Sequence, residues 1–161
     1  MLSRRKFSLI ALASATALPL SAGANKEMTM SDEQWSGLSE REWKTRLTDM
    51  QYRVLRKEST ERPGSSALNR EKRAGVFACA ACELPLFKSK MKYESGTGWP
   101  SFYDVIDGAV ETRADRKLFM ARTEYHCKRC GGHQGHVFTD GPKPTGLRYC
   151  NNGVALIFIA S

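Results

Sequence analysis

No apolar run in this sequence reaches the roughly 20 residues that a bilayer-spanning helix requires, which argues against a membrane span. No self-similar period recurs along the chain, so a repeat array or an extended coiled coil is excluded as well. Acidic residues are in deficit, 17 Asp and Glu against 25 Lys and Arg, for a formal net charge of +8. The basic residues nevertheless form no long cluster of the kind that tracks a nucleic-acid backbone. Hydrophobic residues are not scarce: at 41% of 161 residues they are too many for a disordered chain and enough for one core. Cysteines are few, five in all, and their odd number leaves one thiol over once four are paired or bound.

The first residues combine a basic head (Arg4, Arg5, Lys6), a short apolar middle ending near Leu20, and the small-residue end Ser21-Ala22-Gly23-Ala24. This is the layout of a secretory signal peptide over residues 1–24, and Arg4-Arg5 followed by Phe7 is similar to a twin-arginine export signal. An uncleaved anchor is the alternative, disfavoured by the short apolar stretch. The expected location is therefore periplasmic, with the mature chain free of the membrane. Since the three basic residues of the head belong to targeting, the mature chain is less basic than the whole.

Residues 25–38 read as a flexible lead-in, and residues 39–161 as the folded domain. Ser39 with Glu42, and Thr48 with Gln51, have the form of helix caps, which predicts two short helices rather than one. Trp43, Leu47, Met50 and Val54 recur at helical spacing as one apolar stripe. From Glu58 to Arg73 the polar stretch around Pro63-Gly64 reads as a surface loop. Beyond Gly75 the pattern turns to short strands: Val76 to Ala80, a strand whose wet face carries Lys88, Lys90 and Lys92, a hairpin of 109–113 with 118–126, Val137-Phe138, and Val154 to Ile159. The expected class is a mainly β domain behind a small helical N-terminus.

Cys79-Ala80-Ala81-Cys82 and Cys127-Lys128-Arg129-Cys130 are two Cys-x-x-Cys knuckles. Each brings two sulfurs onto one ion, and two knuckles complete a tetrahedral thiolate shell suited to one structural zinc. A closed shell of this kind leaves no position for substrate. Two disulfides are an alternative in an exported chain. A thioredoxin-like redox pair is disfavoured because no βαβ pattern surrounds either motif.

Cys150 is the thiol left over. As a buried residue it would behave as a small hydrophobe. As a nucleophile it would draw on Arg148, which shares its face of a strand and favours the thiolate. Upstream, His133 and His136 lie on an extended segment and suit proton delivery better than a fifth and sixth metal ligand. Gly98-Trp99-Pro100-Ser101-Phe102 places aromatics on a stiffened loop, either as core at a turn or as an apolar wall for a substrate methyl.

Taken together these motifs resemble the B-type methionine-R-sulfoxide reductases. The matching pieces are the two knuckles, Gly98-Trp99-Pro100-Ser101-Phe102, Cys130-Gly131-Gly132-His133, Gly135-His136-Val137-Phe138, and Gly146-Leu147-Arg148-Tyr149-Cys150 with Asn152. Gln51-Tyr52-Arg53 and Thr60-Glu61 add to them, so the likeness runs from about Trp43 to Phe158. The resemblance implies small antiparallel sheets of the barrel-like, Mss4-like kind with short N-terminal helices and structural zinc. It implies reduction of the R epimer of methionine sulfoxide, free or in proteins, by a monomer that repairs oxidised proteins. Cys150 would be the nucleophile, with Trp99 and Phe138 against the substrate. His133, His136, Asp140 and Asn152 would position and protonate the sulfoxide oxygen, and Arg148 would support the thiolate. Where many members carry a resolving cysteine before the Gly-Trp-Pro loop, this sequence has Thr97, which implies direct regeneration by an external thiol, thioredoxin-like in kind. Gly153 and Asn151 also depart from the commoner residues. The contrasting class is a zinc-ribbon binding module without turnover.

Overall fold

Three polar side chains start three helices. In the computed structural model, which describes residues 30–115 and 122–161, Ser31, Ser39 and Thr48 each accept a hydrogen bond from the backbone three residues on. Gln34, Glu42 and Gln51 reach back in turn, so all three starts are complete capping boxes. The helices are α1 (Asp32–Ser36), α2 (Glu40–Arg46) and α3 (Asp49–Lys57). The pair expected at Ser39 and Thr48 is therefore present. Helix α1 falls inside the segment read as a lead-in, where Trp35 stacks on Trp43 with ring centroids 6.0 Å apart. The signal segment, residues 25–29 and 118–121 of the expected hairpin lie outside the described residues.

Of the stripe on α2 and α3, Trp43, Leu47 and Val54 are buried while Met50 is 40% exposed. The buried positions are instead completed by Tyr52 and Leu55. Met50 sits in the first turn of α3, and the face that packs on the sheets is the one carrying Val54 and Leu55.

Nine strands follow among the described residues, each pairing antiparallel. Strands β1 (Gly75–Cys79), β2 (Pro85–Lys88) and β9 (Leu156–Ala160) form one sheet in the order β2-β1-β9. Strands β3 (Lys92–Tyr93), β4 (Ser101–Phe102), β5 (Val110–Asp115), β6 (Arg122–Cys127), β7 (His133–Phe138) and β8 (Arg148–Asn151) form the second, in the order β3-β4-β8-β7-β6-β5. The fold is thus mainly β, as expected. Phe87 from the first sheet stacks on Phe102 from the second at 4.0 Å between centroids, with Phe77 and Tyr125 packed edge-on around them. This shared aromatic core explains why neither sheet needs a partner of its own.

The expected lysine strand is not one strand. Ser89–Met91 makes a turn of 3₁₀ helix between β2 and β3, and Met91 is buried. The break is where the chain leaves the first sheet for the second, so alternation could not continue through it. The polar loop after Glu58 is likewise more than surface: Ala67–Arg70 is a 3₁₀ turn, and Glu61 is buried. No helix among the described residues is long and apolar enough to cross a membrane.

Candidate active site and metal centre

The four knuckle cysteines meet where the sheets join. Cys79 ends β1 in one sheet and Cys127 ends β6 in the other, with Cys82 and Cys130 on the turns that follow. Gly131, at φ 66°, gives the left-handed step that turns the chain after the second knuckle. All four sulfurs are buried and lie within 4.8 Å of one another, with Cys79–Cys130 at 3.7 Å and Cys82–Cys127 at 3.5 Å. Sulfurs at the corners of a tetrahedron around an ion bound at about 2.3 Å would stand roughly 3.8 Å apart, so the set fits one tetrahedral ion. None of the five cysteines is in a disulfide, which corrects the disulfide alternative. Gln134 Nε2 donates to Cys79 Sγ at 3.3 Å, and Arg56 donates to the Cys130 carbonyl at 2.8 Å, steadying the cage from outside.

Cys150 lies apart from this cluster, half-buried in the middle of the larger sheet. It pairs with Ser101 of β4 on one side and with His136 of β7 on the other. A cavity of about 140 Å³ opens over it, lined among others by Trp99, His136, Phe138, Cys150 and Asn152. A second, more polar cavity of about 490 Å³ adjoins, sharing Thr60, Arg122 and His136 with the first and reaching His133 and Glu124.

His133 and His136 are three residues apart, a spacing that puts side chains on opposite faces of a regular strand. Here the β6–β7 register slips: His133 pairs with His126 while Gly135 pairs with Tyr125. Gln134 is the additional residue of a β-bulge, and it lets both imidazoles share a side, with ring centroids 5.5 Å apart. Asp115 accepts from His136 Nε2 at 2.8 Å and from Arg122 at 2.7 Å.

Burial pushes the Cys150 thiol above its ordinary range; the Arg148 charge and a hydrogen bond with Thr97 pull the other way and do not win. The expected support from Arg148 is therefore present but insufficient to leave a resting thiolate. Burial also holds His136 below an ordinary imidazole, against the hydrogen bond with Asp115. At rest both partners are neutral.

The other predicted residues fall in three places. Asn152 is buried beside the cavity, its Oδ1 accepting from the Glu61 N–H at 3.0 Å and its Nδ2 donating to the Gln134 carbonyl at 3.0 Å. Asp140 does not line the cavity. It is exposed and takes a two-bond grip from Arg148 Nε and Nη2, both at 2.8 Å, while Arg148 lies over the Phe138 ring at 4.3 Å. Asn151 is fully buried, accepts from the Tyr125 hydroxyl at 2.6 Å and donates to Gln134.

Sequence reasoning missed Asp115, Arg122, Thr60, Glu124 and the role of Glu61. The Glu61 carboxylate accepts from the backbone N–H groups of Gly153 at 2.5 Å and Val154 at 3.0 Å, and its carbonyl accepts from Trp99 Nε1 at 3.1 Å. It ties the first loop to the aromatic wall and to the turn after the thiol. A buried acid in a polar loop carries no periodic signal that could have marked it.

One thiol outside the metal cluster and beside an imidazole, on a β scaffold whose remaining thiols gather for a metal, is the arrangement of a thiol-dependent oxidoreductase. Comparison with known proteins narrows the class. The SelR domain matches residues 47–160. A peptide methionine sulfoxide reductase MsrB of Methanosarcina barkeri is 58% identical over 121 residues, covering 74% of this chain and 85% of its own. The MsrB of Leptospira interrogans is 52% identical over 135 residues, or 83% and 97%. The chloroplastic peptide methionine sulfoxide reductase B1 of Arabidopsis thaliana is 48% identical over 124 residues, or 76% and 61%. The chain belongs to the SelR-domain family of B-type methionine sulfoxide reductases. That membership sets aside the zinc-ribbon binding module.

Proposed function

We propose that this protein reduces the R epimer of methionine sulfoxide, free or within polypeptides, to methionine. The observation that carries the proposal is the pairing of Cys150 with His136 inside a cavity walled by Trp99 and Phe138. At about 140 Å³, against about 30 Å³ for a water, this space admits a side-chain end and not a folded segment. Methyl against the aromatics, oxygen toward His136 and sulfur over Cys150 make three fixed contacts. A chiral sulfur can satisfy them in one hand only.

A sulfoxide sulfur is a poor electrophile until its oxygen gains a proton. In the proposed step the Cys150 thiol passes its proton to His136, and the thiolate attacks the substrate sulfur as that proton is handed on to the oxygen. The sulfoxide sulfur gains two electrons, the Cys150 sulfur loses two, the oxygen passes to Cys150, and methionine leaves. Cys150 is then a sulfenic acid. An external thiol attacks it to give a mixed disulfide and water, and a second thiol releases the resting enzyme.

Zinc is the proposed ion of the cluster. Four buried thiolates at tetrahedral spacing are its preferred donor set, and a closed shell would hold the two sheets together without entering the reaction. The absence of a cysteine at Thr97 supports an external reductant, thioredoxin-like in kind, acting on a monomer. The basic head and small-residue end of residues 1–24 support export to the periplasm.

A stereochemically resolved assay tests the function. With dithiothreitol, the protein is expected to release methionine from the R sulfoxide alone, and Cys150→Ser to release none. Turnover of the S epimer, or activity surviving in Cys150→Ser, overturns the proposal.

A further inference from the structure

The step above asks His136 to take a proton from the thiol and give it to the sulfoxide, and an acid that the step leaves unused stands against the same ring. Asp115 ends β5 with its side chain 11% exposed, beside a His136 side chain 14% exposed. Its Oδ2 serves two donors, Arg122 Nη2 at 2.7 Å and His136 Nε2 at 2.8 Å. Asp115 and Arg122 are direct partners in the β5–β6 ladder, so strand register fixes their ion pair. A guanidinium only donates and stays charged, which keeps the oxygen facing it a carboxylate oxygen. An ionised carboxylate only accepts, so the proton of the 2.8 Å contact sits on His136 Nε2.

A neutral imidazole protonated at Nε2 is bare at Nδ1. Nδ1 of His136 has no hydrogen-bond partner among the described residues, and it is not sealed from solvent as His133 Nε2 is. The ring is a wall common to both cavities: Asp115 borders only the second, Cys150 only the first, and His136 both. His136 and Cys150 are direct partners in the β7–β8 ladder, which puts their side chains on one face with Cβ atoms about 5 Å apart. Nδ1 is bonded to the ring carbon nearest the backbone, so it is the nitrogen that a side chain as short as cysteine can meet. Nε2, at the far end of the ring, is the one that spans to β5.

We infer that Asp115 is a positioning residue of the sulfoxide reduction: it fixes His136 in the Nε2-protonated form and so presents the bare Nδ1 to Cys150 as the acceptor of the thiol proton. The inference rests on the proposed function, in which that proton goes on to the sulfoxide oxygen. One proton accounts for the whole passage. It leaves the Cys150 sulfur, rests on His136 Nδ1 while the Asp115 carboxylate balances the imidazolium, and ends on the oxygen. Asp115 neither gains nor loses a proton, and no electrons move through it. Burial holds His136 below an ordinary imidazole, the Arg122 and His133 charges act in the same direction, and Asp115 opposes them.

The test measures the first turnover without reductant, by quenching and counting methionine, in the unaltered protein and in Asp115→Asn. The amide keeps the shape and an acceptor oxygen but removes the charge that balances the imidazolium. The other charged or titratable groups around His136 stay in place: Arg113 from β5, Arg122 and Glu124 from β6, His133 from β7, Cys150 from β8 and Glu58 beyond α3. The first-turnover rate is expected to fall roughly tenfold to a hundredfold, less than the roughly 10²–10⁴-fold of a general acid–base group itself, with substrate saturation nearly unchanged. The acid limb of its pH profile moves to lower pH, because an imidazole without its carboxylate is harder to charge. Nitrogen-15 spectra of the unaltered protein add a readout that does not depend on the variant folding: neutral His136 is expected to show Nε2 protonated and Nδ1 bare. A first-turnover rate within twofold of the unaltered protein, a rate that falls while the acid limb stays in place, or a neutral His136 protonated at Nδ1 overturns the inference and leaves the function standing. An unaltered protein that releases no methionine overturns the function, and the role of Asp115 with it.

Discussion

His136 and Cys150 face each other across the β7–β8 ladder, an imidazole held down by burial opposite a thiol pushed up by it. Both are therefore neutral over a wide middle range of pH. The reactive pair, thiolate with imidazolium, carries the same number of protons as the neutral pair and draws on it throughout that range. Adding a proton at low pH removes the thiolate, and losing one at high pH removes the acid. The expected kcat/KM profile is a broad plateau. Its acid limb lies below the titration of an ordinary imidazole and its alkaline limb above that of an ordinary thiol. Arg148→Ala takes away a charge that favours the thiolate and moves the alkaline limb further up. Iodoacetamide alkylation of Cys150 across pH checks the second limb directly; a midpoint at or below an ordinary thiol contradicts the assignment.

The cysteine cage predicts a metal-dependent fold. Cys79 and Cys127 end strands of different sheets, so an ion at their sulfurs joins the two halves of the core. Binding free energy in such sites is folding free energy, on the order of 10 kcal/mol for structural zinc. One zinc per chain is expected by elemental analysis. Stripping it under denaturing chelation, or replacing Cys82 with Ala, is expected to abolish the cooperative thermal transition. A chain that unfolds at the same temperature without metal excludes the clamp.

Regeneration is predicted to be intermolecular. The four cysteines besides Cys150 are buried together in the cage, and Thr97 stands in hydrogen-bond reach of the Cys150 thiol. After one turnover without reductant, mass spectrometry is expected to find Cys150 as a sulfenic acid, trapped by dimedone. Thr97→Cys supplies a partner at contact distance and is expected to convert that product to an internal disulfide. Finding a disulfide from Cys150 in the unaltered chain refutes the prediction.

Gly153 is predicted to be tied to Ser66. A Cβ at position 153 would collide with the Ser66 side chain and press on Glu61 Oε1. Gly153→Ala is expected to destabilise by about 1–3 kcal/mol through overpacking, measured by urea unfolding. Ser66→Gly opens the space and is expected to recover about 1 kcal/mol of that loss in the double variant. Additive losses in the two variants contradict the contact.

What the sequence disclosed was local. The caps at Ser39 and Thr48 act over three residues and need no tertiary partner, so they were readable and are present. The knuckles carry their own spacing and converge as they must. Lys88, Lys90 and Lys92 alternate like a strand, yet the chain turns there because it must change sheets, and no local signal marks a crossing between sheets. Met50 fits the apolar spacing and still faces water, since the side of α3 that meets the sheets is chosen by packing. In the site, Cys150, His136 and Trp99 were found from their chemistry and motif. Asp115, Glu124 and Arg122 come from strands β5 and β6 and join only through ladder pairing, and the bulge that aligns His133 with His136 is one residue of register.

The distribution of sulfur has a consequence for how the molecule fails. Four thiols are walled into the scaffold and a single one meets the outside. Hypochlorous acid or peroxide would thus silence the protein at one atom while its architecture stays assembled. Where oxidation stops at the sulfenic acid, dithiothreitol alone restores it, with no chaperone or refolding step in between.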